Sequence, residues 1–126
     1  AGGTSWSQVE MFRTDDEMGR NVAANFRNWG IPTLESIRQV HNAVPGLPVI
    51  ASGGLKTGMD LAKSIALGAS MGGMAGPLLR AAAVSEQALA DKLEQLRTEL
   101  VITMFATGSR NLDALKKARF VERSGK

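Results

Sequence analysis

The sequence predicts an α/β fold in which short parallel strands alternate with helices packed outside them. Two short runs, Leu47-Pro48-Val49-Ile50-Ala51 and Ser70-Met71-Gly72-Gly73-Met74-Ala75, are bounded by turn residues. Each leads through a tight link into a stretch of helical spacing. Those stretches carry start and stop residues, so strand and helix alternate without long connections.

Taken in order, Ser5 to Arg13 reads as a short helix with Val9 and Phe12 on one side. Thr14 to Gly19 is polar and acidic and reads as a mobile loop. Thr33 is expected to cap the next helix, where Leu34, Ile37, Val40 and Val44 recur at roughly helical spacing. Pro45-Gly46 stops it. Leu47 to Ala51 is short and apolar, which suits a buried parallel strand. Ser52 to Gly58 is a glycine-rich turn, and Thr57 with Asp60 three residues on forms a capping-box variant. Leu61, Ala62, Ile65 and Ala66 give that helix an apolar face, with Gly68 as its stop. Ser70 to Ala75 is a weak strand by propensity because of its glycines, and its place after a strand–helix unit makes the assignment. Gly76-Pro77-Leu78-Leu79 opens a short helix. Ser85 to Thr107 has the clearest helical pattern, with Leu89, Leu93, Leu96, Leu100 and Met104 along one face. Asn111 is expected to cap a last helix through Leu115.

Composition narrows the function classes. Of 126 residues, 44% are hydrophobic and 21% charged, which fits an ordinary globular protein and not a disordered one. The formal charge of +3 is mild, and basic residues gather only in the tail at Lys116, Lys117, Arg119, Arg123 and Lys126. A nucleic-acid binder would show a denser patch with interleaved aromatics, so the tail reads as a solvated helix. Without cysteine there are no disulfides and no thiolate metal sites, which fits the cytoplasm. No apolar run is long enough to span a bilayer. Two strands cannot close a barrel, and the chain opens without Met on Ala1-Gly2-Gly3-Thr4-Ser5-Trp6, which looks like the middle of a motif. The expectation is a piece of something longer.

The residues suited to chemistry cluster at the strand ends. At Gly53-Gly54 small residues let backbone N–H groups approach an anion, and the following helix start adds favourable partial charge. Lys56 supplies a full positive charge there. Ala75-Gly76-Pro77 ends the next strand and opens a short helix. In parallel α/β barrels a phosphate commonly sits between two such consecutive strand ends. Gly2-Gly3-Thr4-Ser5-Trp6 is a third glycine-rich turn with two hydroxyls, and Trp6 is expected to pack on the wall. His41, the single histidine, lies on a predicted helix away from the strand ends and is read as helix-side. Asp15, Asp16 and Glu17 read as a solvated loop, Asp60 as a cap and not a general acid, and Met71 and Met74 as core filler. No catalytic triad or metal-ligand set is visible.

Gly2-Gly3-Thr4-Ser5-Trp6, Trp29-Gly30-Ile31-Pro32-Thr33, Ala51-Ser52-Gly53-Gly54-Leu55 and Ala66-Leu67-Gly68-Ala69 resemble, in that order, the type 2 isopentenyl-diphosphate isomerases. Ala75-Gly76-Pro77-Leu78-Leu79 and the Met104 to Gly108 stretch fit the same family. The first two motifs are the specific ones; the glycine–serine turn is shared by many FMN barrels. The resemblance implies that residues 1–126 are the C-terminal half of an FMN-binding (β/α)8 TIM-barrel domain, with the N-terminal half absent. It implies interconversion of isopentenyl and dimethylallyl diphosphate, reduced FMN, NADPH as reductant, and Mg2+ held mainly by the missing half. It also implies a cytoplasmic homo-oligomer with no nucleic-acid or membrane partner. By that resemblance Thr4 is a flavin contact, Gly53, Gly54, Leu55 and Lys56 form one phosphate loop, and Ala75 and Gly76 form its partner. Many relatives carry Arg where this chain has Lys56, which keeps the charge but loses the two-pronged donor. Catalytic residues remain unassigned, and the isolated chain is expected to be inactive. Two alternatives stay open: an FMN-dependent 2-hydroxy-acid oxidase-like barrel, which would be expected to need a well-placed His and Arg, and a non-catalytic half-barrel that self-associates.

Overall fold

The structure, a computed structural model, describes residues 2–121. Two helices come first, α1 (Trp6–Arg13) and α2 (Glu17–Asn25), followed by α3 (Thr33–Ala43). Strand β1 (Ile50–Ser52) leads into α4 (Gly58–Ala66), and β2 (Met71–Gly73) into α5 (Gly76–Ala82). The long α6 (Glu86–Ala106) and the four-residue α7 (Leu112–Leu115) close the described chain. The strands pair in parallel with Ala51 opposite Gly72, so the expected strand–helix–strand unit is present.

Local sequence explains most of the boundaries. Ser5, Thr57, Ser85 and Asn111 each cap a helix through a side-chain oxygen, and Thr57 with Asp60 completes the capping box. Pro77 sits in the first turn of α5, where its missing N–H costs nothing. Gly46, Gly68 and Gly108, which follow α3, α4 and α6, all have positive φ.

The core is in two parts. Ile37, Ala51, Leu55 and Ala69 form one, with Leu67 and Met74 packed against it. Ala62, Ile65 and Leu115 form the other, covered by Leu61, Leu100, Met104 and Ala118. The second joins α4, α6 and α7, which puts the long helix outside the strand–helix unit as expected.

Several expectations are corrected. Thr14 to Gly19 is not all loop: Asp16 accepts from the N–H groups of Met18 and Gly19 and starts α2 at Glu17. The acidic cluster is therefore in part a helix cap. Thr33 is the first residue of α3 and makes no cap bond; Pro32 holds the cap position. The strand expected over Leu47 to Ala51 begins only at Ile50, and of its three residues only Ala51 is buried. Ile50 is 66% and Met71 60% exposed, so neither fills a core. A two-stranded sheet leaves such residues without an opposing layer among the described residues. The stripe on α6 is also uneven: Leu96 is buried, while Leu93 is half exposed. Trp6 is 78% exposed and packs on no wall. In the tail the helix ends at Leu115; Arg123 and Lys126 lie outside the described residues.

Candidate functional site

Three motifs far apart in sequence meet at the C-terminal end of β1. The Gly53-Gly54 turn has positive φ at both glycines, which an L side chain rarely adopts. Gly2-Gly3 lies directly against it. A Cβ on Gly54 would come 2.8 Å from the Gly3 nitrogen, and one on Gly3 would come 2.6 Å from the Gly54 nitrogen. Thr33 closes the group: its hydroxyl donates to the Gly53 carbonyl at 2.7 Å. The hydroxyl expected to cap α3 thus ties α3 to the glycine turn. These glycines are small first because their backbones pack on each other.

Beyond this junction opens a cleft of about 540 Å³ between the β1 and β2 ends. Thr4, Gly53, Gly54, Leu55, Lys56, Ala75 and Gly76, the seven candidates from the sequence, all line it. So do Trp6, Ser52 and Arg80. Among the described residues the lining contains two cationic side chains, Lys56 and Arg80, and no carboxylate. A second cleft of about 470 Å³ lies on the other side of the turn and also reaches Lys56, but Asp60 and Lys63 line it. The acid-free cleft is the one that suits an anion.

The two helix starts differ in their donors. At α4 they are largely committed. Asp60 Oδ2 accepts from the backbone N–H groups of Lys56 and Thr57, both at 3.1 Å. Thr57 Oγ1 accepts from Asp60 N–H, and Glu99 of α6 accepts from Gly58 N–H at 2.6 Å. Partial burial works to raise the Asp60 pKa, but the Lys56 and Thr57 hydrogen bonds and the Lys63 charge outweigh it and hold the carboxyl below its ordinary value. Glu99 is likewise lowered, chiefly by the Gly58 N–H and then by Gln95. At α5 no side chain caps the start, and the first helical bond is Leu79 N–H to Ala75 O. The Gly76 and Leu78 N–H groups therefore have no intrahelical acceptor. A Cβ on Gly76 would meet only Arg80 Nη1, at 3.6 Å. The expectation that both helix starts offer free donors is corrected: α5 offers them, while α4 contributes the Gly53 to Lys56 turn and the Lys56 side chain.

Residues set aside by the sequence stay apart. The His41 ring lies against Gly68, at the far end of α4, where a Cβ would come 2.5 Å from its Cγ. Asp60 is a cap, as expected. Arg80 and Glu99 were missed. Arg80 could have been found, since it stands four residues after Gly76, one helical turn along, and long helical side chains lean toward the N-terminus. Glu99 had no local signal, because its partner is forty-one residues away. Among the described residues no three His, Cys, Asp or Glu side chains gather as a metal site, and no helix is long and apolar enough to cross a membrane.

The chain is similar to known proteins over almost its whole length. The chain is 50% identical over 94% of its length to an isopentenyl-diphosphate delta-isomerase of Rickettsia bellii. It is 48% identical over 96% of its length to the protein of the same name from Methanococcus maripaludis, and 48% over 98% to that from a Nostoc species. It spans about a third of the length of these relatives: 34%, 34% and 35%. The sequence model described as FMN-dependent dehydrogenase matches residues 27–122, well over half of the chain, and the chain belongs to that family.

Proposed function

We propose that this chain is the C-terminal portion of a (β/α)8-barrel isomerase that interconverts isopentenyl and dimethylallyl diphosphate, and that it holds the phosphate end of reduced FMN. The observation that supports this most is the convergence of all seven candidate residues on one acid-free cleft. The shared name of the relatives supports the substrate pair. In this reading the Gly76 N–H and the turn from Gly53 to Leu55 donate to the phosphate, Lys56 balances its charge through its side chain, and Thr4 meets the flavin. When bound, the reduced flavin supplies proton-transfer chemistry, with NADPH as its reductant. Mg2+ and the substrate diphosphate belong to the part of the barrel outside this chain. The chain's own work is to fix the flavin's position and exclude competing anions. It is expected to show no turnover alone. A cytoplasmic homo-oligomer goes with the same reading, and gel filtration checks the assembly.

The family description equally covers redox enzymes, so an FMN-dependent 2-hydroxy-acid oxidase is the second reading. That family would be expected to show a histidine and a nearby arginine in this region, and His41, the chain's one histidine, sits against Gly68 at the other end of α4. The isomerase reading is preferred on that ground.

Flavin fluorescence titration of the full-length protein tests the site. Gly76→Val should fold normally, since only Arg80 lies near the new side chain. It should weaken FMN about ten- to a hundredfold, because overfilling a packed site costs about 1–3 kcal/mol. His41→Gln should bind FMN like the parent. Unchanged FMN affinity in Gly76→Val would place the phosphate elsewhere.

A further inference from the structure

We propose that Arg80 is the specificity-determining residue for the phosphate monoester, the group through which the site distinguishes FMN from riboflavin. The inference rests on the FMN reading above and goes beyond it by assigning the discrimination to a residue outside both glycine motifs. Arg80 is exposed, on the last turn of α5, and it lines the same cleft as Lys56. Its Nη1 lies 3.6 Å from where a Cβ on Gly76 would stand, over the open start of the helix. Among the described residues no carboxylate lies within ion-pair distance of its guanidinium, whereas Arg13, Arg38 and Arg97 each face a glutamate on their own helix. Among the described residues that line the cleft, none is acidic and opposes its charge.

The chemistry favours Arg80 over Lys56 for this task. A phosphate monoester presents three terminal oxygens, and a planar guanidinium can engage two of them at once. Lys56 offers a point charge on a flexible stem and stands between two clefts, one of which holds Asp60. Arg80 also rides on the same helix as Gly76, and both line the cleft. The guanidinium would restore the two-pronged contact that Lys at position 56 cannot make.

The test is a pair of flavin titrations, with FMN and with riboflavin, on the full-length protein. The parent, Arg80→Gln and Arg80→Lys are compared, with circular dichroism to check folding. The parent should bind FMN more tightly than riboflavin. Arg80→Gln should lose about tenfold in FMN affinity, as for one exposed charge-assisted contact, with riboflavin changed less than about twofold. Arg80→Lys should recover only part of the loss. If Arg80→Gln weakens both flavins equally, or neither, while the parent still prefers FMN, Arg80 is not the discriminating residue and the FMN reading survives. If the parent shows no preference for FMN, the reading and this inference fall together. Should Arg80→Gln lose its fold, Arg80→Lys decides by the ratio of its two affinities: a ratio equal to the parent's overturns the proposal.

Discussion

The starts of α4 and α5 are built from the same materials, a strand end, small residues and a helix, yet they use their backbone donors in opposite ways. At α4 Asp60, Thr57 and Glu99 absorb the N–H groups of Lys56, Thr57, Gly58 and Asp60. At α5 nothing caps the helix, and the space above Gly76 is open except for Arg80. The first start spends its donors on holding the helix in place and fastening α6 to it. The second leaves them without a helical partner, and its Gly76 lines a cleft. A glycine-rich strand end is therefore not by itself an anion site; what matters is whether neighbouring side chains have already satisfied the donors.

Substitutions can break this contrast. The largest effect should come from Gly54→Val. Position 54 has φ +84°, and a Cβ there would press on the Gly3 nitrogen and the Gly2 backbone. Left-handed strain plus overpacking should cost about 2–5 kcal/mol. Thermal melting should drop and flavin binding should fail with it, because the Gly2-Gly3 junction opens. The sequence also marks Gly54 as critical, but for a different reason, close approach of the ligand. A Gly54→Val protein that melts like the parent would show that the junction does not hold the fold. Gly76→Val, the next in size, should lose FMN and keep its melting temperature. The difference between the two variants separates structural glycine from ligand-facing glycine.

The smallest effect concerns pH. Asp60 and Glu99 both have their pKa values lowered in the folded protein, from ordinary values of 3.8 and 4.5. Each binds a proton less readily folded than unfolded, so the stability they give is complete above those values. It is lost as the pH falls through the lower, folded values. Asp60→Asn should be less stable than the parent at neutral pH, with a shallower decline below about pH 4. Its FMN affinity should stay within about twofold, since the donors it releases belong to the α4 side. An acid-melting curve parallel to the parent's would mean that the Asp60 cap carries no pH-dependent stability.

How far the sequence carried depends on whether the cause was local. Caps at Thr57 and Asn111 were legible because each side chain bonds a backbone group three residues on. The parallel pairing of β1 and β2 followed from the intervening helix. Thr33 was misplaced because a long-range acceptor, the Gly53 carbonyl, competed for its hydroxyl. Asp16 was passed over because the acidic run masked a sound cap residue. Ile50 was read as interior from its short apolar run and Met71 from its type, and neither says how many layers cover a residue. The candidate cleft was legible through its glycine motifs. Its second cation, Arg80, was not, because no motif contains it.

The central claim is that a phosphate sits between the two strand ends, against α5 and not against the capped start of α4. A crystal structure of the full-length protein with FMN tests it directly. The phosphate should lie within hydrogen-bond distance of the Gly76 N–H and the Lys56 ammonium, with Asp60 still capping α4 and the His41 ring still on Gly68. A phosphate bound in the Asp60-lined cleft, or at residues outside this chain altogether, would contradict the account.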